Sequence, residues 1–167
     1  MKTKTTLAIF SLMSLLSFGA ASAKDMNATA TVGNQTAASH HEEEAPTYLK
    51  AVRLINLPNG DCAFEYGKLE TKVHMPATSF FAQTKVDAYE KVAHPAPRMQ
   101  YVVTLKGKLQ FKVTNGDTFI IEPGTILVAE DVKGKGHTWD LLDGDKWDRL
   151  YIPIPAGADD HFIADKK

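Results

Sequence analysis

Residues 98–128, RMQYVVTLKGKLQFKVTNGDTFIIEPGTILV, contain the clearest succession of strands and turns in the chain. Short runs of apolar and β-branched residues alternate with sequences typical of turns. Asn115-Gly116 is the strongest hairpin signal, because both central positions of a two-residue type I′ turn need positive φ. The segment therefore predicts four strands joined by tight turns, over residues 98–105, 109–113, 118–121 and 126–128.

The same pattern continues on both sides of this segment. We predict earlier strands at residues 51–57 and 62–69, and later ones at 137–142 and 147–154, with a turn at 143–145. No stretch keeps a helical period, and turn signals recur about every 8–12 residues. This spacing predicts an all-β domain, built as an antiparallel sandwich or barrel.

Composition and charge narrow the functional class. The chain has 167 residues, of which 44% are hydrophobic and 23% are charged, and these are globular values. Nineteen Lys and Arg against 20 Asp and Glu leave no basic surplus, which argues against a nucleic-acid partner. A single cysteine, Cys62, excludes an intrachain disulfide and a four-cysteine zinc site.

The N-terminal residues have the pattern of a signal peptide. Lys2 and Lys4 precede an apolar run at residues 7–18, and Ala21-Ser22-Ala23 fits a signal-peptidase site. The apolar run is too short to span a bilayer, which needs about 20 residues. We therefore expect a signal peptide at 1–23, a flexible leader at 24–45 and one domain at 46–167. The product would be exported, either periplasmic or secreted, with no membrane span after cleavage.

The spacing of a few histidines and glycines fits two motifs of a known family. His94, Gln100 and Gly107 occupy the positions of the first His, the Glu and the closing Gly of the first motif. Gly124 and His137 fit the opening Gly and the His of the second motif, with a loop two residues longer. On these positions residues 94–154 resemble the cupin superfamily of small jelly-roll β-barrels, and in particular its mostly uncharacterised single-domain members. The resemblance implies a single jelly-roll barrel.

The sequence departs from the family pattern at several positions. Ala96 stands in place of the second His and Gln100 in place of the Glu. Ala88, Glu130 and Leu141 replace a Gly, a Pro and an Asn of the pattern. The resemblance therefore implies a reduced metal set, His94, Gln100 and His137, for a divalent Fe, Mn, Ni, Zn or Cu ion. A neighbouring carboxylate, on Glu130 or Asp131, could supply the missing charge, and a metal-free pocket is the alternative.

The residues around these positions suggest a ligand-binding wall. Arg98 and Gln100 are two apart on a predicted strand and share a face. An arginine there would suit a carboxylate or phosphate, or it would lie at the strand end and pair with a nearby acidic residue. Trp139 has the same strand parity as His137, so it would face the same side of the sheet. There it would either line the pocket or pack in the core. The predicted ligand-binding residues are Arg98, Gln100, Glu130 and Trp139, and we interpret the glycine-rich loop at 133–136 as a flexible lip.

Three functions remain open from the sequence. We expect a domain that binds a small polar or anionic molecule inside the barrel, with or without a divalent metal. A metal-dependent enzyme of lyase, isomerase or dioxygenase type is one alternative, and a metal-free sensing module or structural scaffold is another. The resemblance also implies a homodimer, joined through the strands before residue 94, because exposed sheet edges need pairing or protection.

Overall fold

The computed structural model describes residue 45 and residues 47–166. It is all-β, as predicted, and within the described residues the only helical element is one 3₁₀ turn, Ala88–Lys91. The strands are β1 (Tyr48–Asn56), β2 (Cys62–Glu70), β3 (Phe81–Gln83), β4 (Gln100–Val113), β5 (Thr118–Ile121), β6 (Thr125–Ala129), β7 (His137–Pro153) and β8 (Phe162–Ala164). The predicted signal peptide and nearly all of the predicted leader lie outside the described residues. In the described part, no helix is long and apolar enough to cross a membrane.

The strands form one mixed, open sheet. Its order is β3-β7-β4-β6-β1-β2-β8, and β5 pairs with β4. Neighbouring strands are antiparallel except β1 and β6, which are parallel. Because β1 lies between β2 and β6, it is interior to the sheet and is hydrogen-bonded on both sides.

The long strands β4 and β7 differ from the prediction. Turns were predicted at 106–108 and 143–145, but β4 and β7 run through these points and pair with each other on both sides of them. The register shifts between Thr104 and Leu109, and Gly107 has φ +107° there. A β-bulge therefore replaces the predicted tight turn, because the continuous partner strand keeps the chain paired across the bend.

The bulge also determines which side chains reach the core. Thr104 and Leu109 are both buried although they are five positions apart, which a regular strand would place on opposite faces. The extra residue at the bulge shifts the alternation by one position, so that side chains before and after it point to the same face of the sheet. As a result Gln100, Val102 and Thr104 face the same interior as Leu109 and Phe111.

The hairpin predicted at Asn115-Gly116 is present, with a different turn geometry. Gly116 has φ +103°, while Asn115 is not among the residues with positive φ. The Gly116 amide donates to the Val113 carbonyl and the Val113 amide to the Asp117 carbonyl, each at 3.0 Å. This is the pattern of a three-residue loop with a type I turn and a glycine bulge, so only one residue needs positive φ.

Two apolar clusters lie on the two faces of the sheet. The larger one joins β1, β2, β4, β5, β6 and β7, and it includes the fully buried Leu54, Leu109 and Ile121. The smaller one joins Tyr101 and Val128 to the C-terminal segment through Ile154 and Phe162. The first cluster forms the floor of the cavity described next.

Candidate functional site

A cavity of about 270 Å³ opens beside the larger core cluster. Its walls include five of the six residues that the sequence assigned to metal or ligand, namely His94, Arg98, Gln100, His137 and Trp139. Residues from β4 and β7 and from the segment between β3 and β4 therefore meet at one place. The sixth residue, Glu130, does not line it.

His94 and His137 are paired directly with each other. Their backbones make an isolated antiparallel bridge, with the His94 amide donating to the His137 carbonyl at 3.1 Å and the reverse bond at 3.0 Å. Their ring centroids are 4.9 Å apart. Gly136, with φ +70°, allows this approach, because a Cβ at that position would overlap the His94 carbonyl. The two imidazoles are thus brought together by backbone pairing.

Hydrogen bonds at Nδ1 set the proton position on both rings. The Nδ1–H of His94 donates to the Val92 carbonyl at 2.8 Å, since a carbonyl can only accept. The Nδ1–H of His137 donates to the Asp131 carboxylate at 2.7 Å. When the ring is neutral, Nε2 therefore keeps its lone pair and is the nitrogen available to a ligand or a metal.

Gln100 adds an acceptor to the same wall. Its side chain is 4% exposed, and its Oε1 has no hydrogen-bond partner among the described residues. A buried polar atom without a partner is costly, by about 1–3 kcal/mol. Gln100 lines the cavity, and its amide oxygen is buried without a donor among the described residues.

Arg98 and Glu130 lie in different environments. Arg98 is exposed at the edge of the cavity and makes no ion pair among the described residues. The Glu130 carboxylate instead lies 3.9 Å from Arg53, which also pairs with Glu65 and Asp160. Burial and the neighbouring Asp160 carboxylate raise the pKa of Glu130 to about 7. Glu130 therefore belongs to a charge cluster away from the cavity.

Aromatic rings form much of the remaining wall. Trp139 and Trp147 are in edge-to-face contact with centroids 4.7 Å apart, and the Trp147 indole donates to the Thr104 hydroxyl at 3.0 Å. Phe81 stacks on Tyr151 at 4.9 Å, and both line the cavity. Trp139 thus both lines the cavity and packs in the core, so the two roles considered for it from the sequence are compatible.

A buried ion pair that was not predicted from the sequence forms part of the cavity wall, because Glu90 lines the cavity. Arg149 and Glu90 are 1% and 2% exposed, and their Nη2 and Oε1 atoms are 2.6 Å apart. The Tyr151 hydroxyl accepts from Arg149 at 2.7 Å and donates to Glu90 at 3.1 Å. This contact fastens the 3₁₀ turn to β7 and so holds one wall of the cavity. The sequence did contain one indication that Arg149 is buried. Arg149 lies on the same face of β7 as Trp147 and Tyr151, whose side chains point inward.

A second buried group lies on the far side of His137. Cys62, Asp131 and His137 offer three atoms within 4.8 Å of one another, so this group could hold a metal ion. The Cys62 thiol donates to Asp131 Oδ2 at 3.4 Å. Burial, together with the Asp131 charge, raises the pKa of Cys62, so the thiol stays protonated. Cys62 is fully buried and is a reduced cysteine in this structure.

The glycine-rich loop at 133–136, interpreted from the sequence as a flexible lip, does not line the cavity. The Asn56 side chain bonds both the Lys133 carbonyl, at 2.5 Å, and the Lys133 amide, at 3.1 Å. The Lys135 amide donates to the Gly60 carbonyl at 2.9 Å. The glycines of this loop serve close backbone packing against neighbouring turns, so the loop supports His137 instead of covering the cavity.

Comparisons with known proteins give no assignment. No family model matches the chain, and no curated protein matches it in sequence. Function must therefore be inferred from the cavity itself.

Proposed function

We propose that this protein binds a small polar or anionic molecule in the cavity between β4, β7 and the segment before β4. The observation that carries the proposal is that His94, Arg98, Gln100 and His137 line one cavity, and that the buried Oε1 of Gln100 has no donor among the described residues. His94 and His137 provide two further acceptors beside it, and Arg98 provides a cation at the cavity edge. The acceptors suit a hydrogen-bond donor of a polar ligand, and Arg98 at the cavity edge suits an anionic group on the same ligand.

The donor set also fits a divalent metal. His94 Nε2, His137 Nε2 and Gln100 Oε1 would hold it, and imidazole and amide oxygen are accepted by Zn, Ni, Mn and Fe. The buried Asp131 carboxylate, bonded to His137, would offset part of the metal's charge. A metal held there would act as a Lewis acid toward an oxygen of the ligand. Arg98 would orient the anionic end of that ligand.

The arrangement supports a jelly-roll barrel of the cupin type as the finer fold. Residues at three motif positions, His94, Gln100 and His137, lie around one cavity although they are separated in sequence. Gly107 and Gly124 have positive φ, as a bulge and a turn need. We extend the proposal to an exported protein. A homodimer would form through β3, an edge strand that precedes residue 94 and carries the exposed Phe81.

Metal-free binding is the second candidate. The observation that favours metal-free binding is the neutral Gln100, which stands where the cupin pattern has a carboxylate. A site without that carboxylate binds a cation more weakly. In this case the ligand itself would donate hydrogen bonds to Gln100 and the two imidazoles. An enzyme of lyase, isomerase or dioxygenase type would require the metal.

We expect tag-free protein, stripped with a chelator, to bind one equivalent of Ni²⁺, Mn²⁺ or Zn²⁺ in calorimetric titration. His94→Ala should lower the affinity by more than the roughly 10–100-fold that loss of an outer hydrogen bond costs, because a ligand is removed. His74→Ala is the matched control, since His74 is exposed and does not line the cavity. Equal losses in the two variants would contradict the assignment. Absence of binding by the wild type would favour the metal-free candidate.

The anionic-ligand proposal is tested at Arg98. Arg98→Lys keeps the charge but loses the planar fork, so affinity for a small carboxylate should fall about tenfold. Lys135→Ala is the control, because the Lys135 ammonium already pairs with Asp61 at 2.7 Å and Lys135 does not line the cavity. The measurement is calorimetric titration against a panel of small carboxylates. A loss in Lys135→Ala with none in Arg98→Lys would indicate a diffuse positive field instead of a specific contact, and binding of neutral ligands alone would reject the anionic class.

A further inference from the structure

Asp131 is a buried carboxylate placed directly behind His137. Its side chain has no exposed surface, and its Oδ2 accepts from the His137 Nδ1–H at 2.7 Å and from the Cys62 thiol at 3.4 Å. Its Oδ1 is buried and has no partner among the described residues. Among the described residues this carboxylate therefore has two side-chain donors, and His137 is the nearer one.

The backbone fixes Asp131 from two sides. It follows the end of β6, and its carbonyl accepts the Ala96 amide at 3.2 Å. Cys62 begins β2, whose preceding turn bonds to the loop before His137 through the Gly60 carbonyl. The carboxylate is thus held at a set distance from the ring by elements of the sheet, and this is what an orienting residue requires.

The spacing favours an orienting role over direct ligation by this group. Two ligands at about 2.0–2.1 Å from a tetrahedral metal are about 3.3 Å apart. The Asp131 Oδ2 and His137 Nδ1 atoms are 2.7 Å apart, which is a hydrogen-bond distance. With Nδ1 occupied by its proton, His137 presents Nε2 as its only free nitrogen.

We propose that Asp131 is a positioning residue, which fixes the His137 tautomer with the proton on Nδ1, and that the Cys62 thiol holds the same carboxylate from behind. This inference rests on the proposed use of His137 Nε2 by a metal or ligand in the cavity. Asp131 would also increase the basicity of the ring and strengthen its bond to a cation. Cys62 would contribute as a hydrogen-bond donor, neither as a nucleophile nor as a metal ligand.

The first test measures the tautomer directly in metal-free protein. In ¹⁵N-detected NMR of the histidine rings, the wild type should show His137 protonated at Nδ1. Asp131→Asn should shift protonation toward Nε2, because the amide NH₂ would donate to Nδ1. Asp140→Asn, on the exposed face of β7, is the matched control and should leave the spectrum unchanged. Protonation at Nε2 in the wild type overturns the inference, whether or not the variant folds.

The second test uses affinity for Ni²⁺ and the spectrum of the Co²⁺-loaded protein. Asp131→Asn should lower Ni²⁺ affinity about 10–100-fold, while Asp140→Asn should not change it. The Co²⁺ form should lack a thiolate-to-cobalt charge-transfer band. Such a band, lost in Cys62→Ser, would make Cys62 a ligand and overturn the inference. A wild type that binds no metal but keeps the Nδ1–H tautomer would reject the proposed metal and support the positioning role of Asp131.

Discussion

Gly136→Ala is expected to separate His94 from His137 and to destabilise the fold by about 2–5 kcal/mol. Positive φ costs a residue with a Cβ about 1–2 kcal/mol, and overpacking adds about 1–3 kcal/mol. The overlap falls on the His94 carbonyl, which forms half of the bridge to His137. Metal or ligand affinity should therefore fall together with the melting temperature, as measured by calorimetry and thermal unfolding.

Gly144→Ala separates the two contributions. Gly144 has φ +75°, close to the +70° of Gly136, but a Cβ there would have no neighbour within 4 Å. It should show the conformational cost alone, about 1–2 kcal/mol, and unchanged ligand affinity. If both variants lose the same stability and keep affinity, the close approach of Gly136 to His94 has no functional consequence.

Glu90→Ala is expected to lower the free energy of unfolding by about 3–5 kcal/mol, because it leaves the buried Arg149 guanidinium without its carboxylate. The Tyr151 hydroxyl loses an acceptor at the same time. For a domain of this size, such a loss corresponds to a fall in melting temperature of about 10 °C or more. Urea unfolding followed by tryptophan fluorescence would measure it, since Trp147 lies against Arg149.

An exposed ion pair provides the reference for this effect. Glu122 faces Lys108 at 3.1 Å with both side chains about half exposed, so Glu122→Ala should cost at most about 1 kcal/mol. The double variant Glu90→Leu with Arg149→Met should recover much of the stability, because no buried charge is then left unpaired. A Glu90→Ala protein as stable as Glu122→Ala would show that the guanidinium finds another partner or water.

Strands and hairpins were predictable from the sequence because their signals are local. The alternation around Phe111 and the glycine at 116 specify a strand and a turn within a few residues. The bulge near Gly107 was not predictable in the same way. Lys-Gly-Lys has the composition of a turn, and only the pairing of β4 with the distant β7 keeps the strand continuous there.

The candidate site was predictable only in part, for a related reason. His94, Gln100 and His137 were found through motif spacing, and Arg98 through strand parity. Glu90 lies in a polar segment and gave no signal, since its burial depends on Arg149, 59 positions later. The proposed role of Asp131 in orienting His137 likewise depends on a side-chain contact that the sequence leaves open. Glu130 was assigned to the ligand-binding residues, and its contact with the distant Arg53 gives no local signal.

The parallel pairing of β1 with β6 has a consequence for biosynthesis. Lys50 of β1 pairs with Thr125 of β6, 75 positions later. During translation β1 is therefore made well before β6, its second neighbour in the sheet. At about 5–20 residues per second, this delay is about 4–15 s. Until then, β1 and β2 form an isolated two-stranded hairpin, which is at best marginally stable in water. We therefore expect one edge of β1 to stay unpaired until most of the domain has left the ribosome.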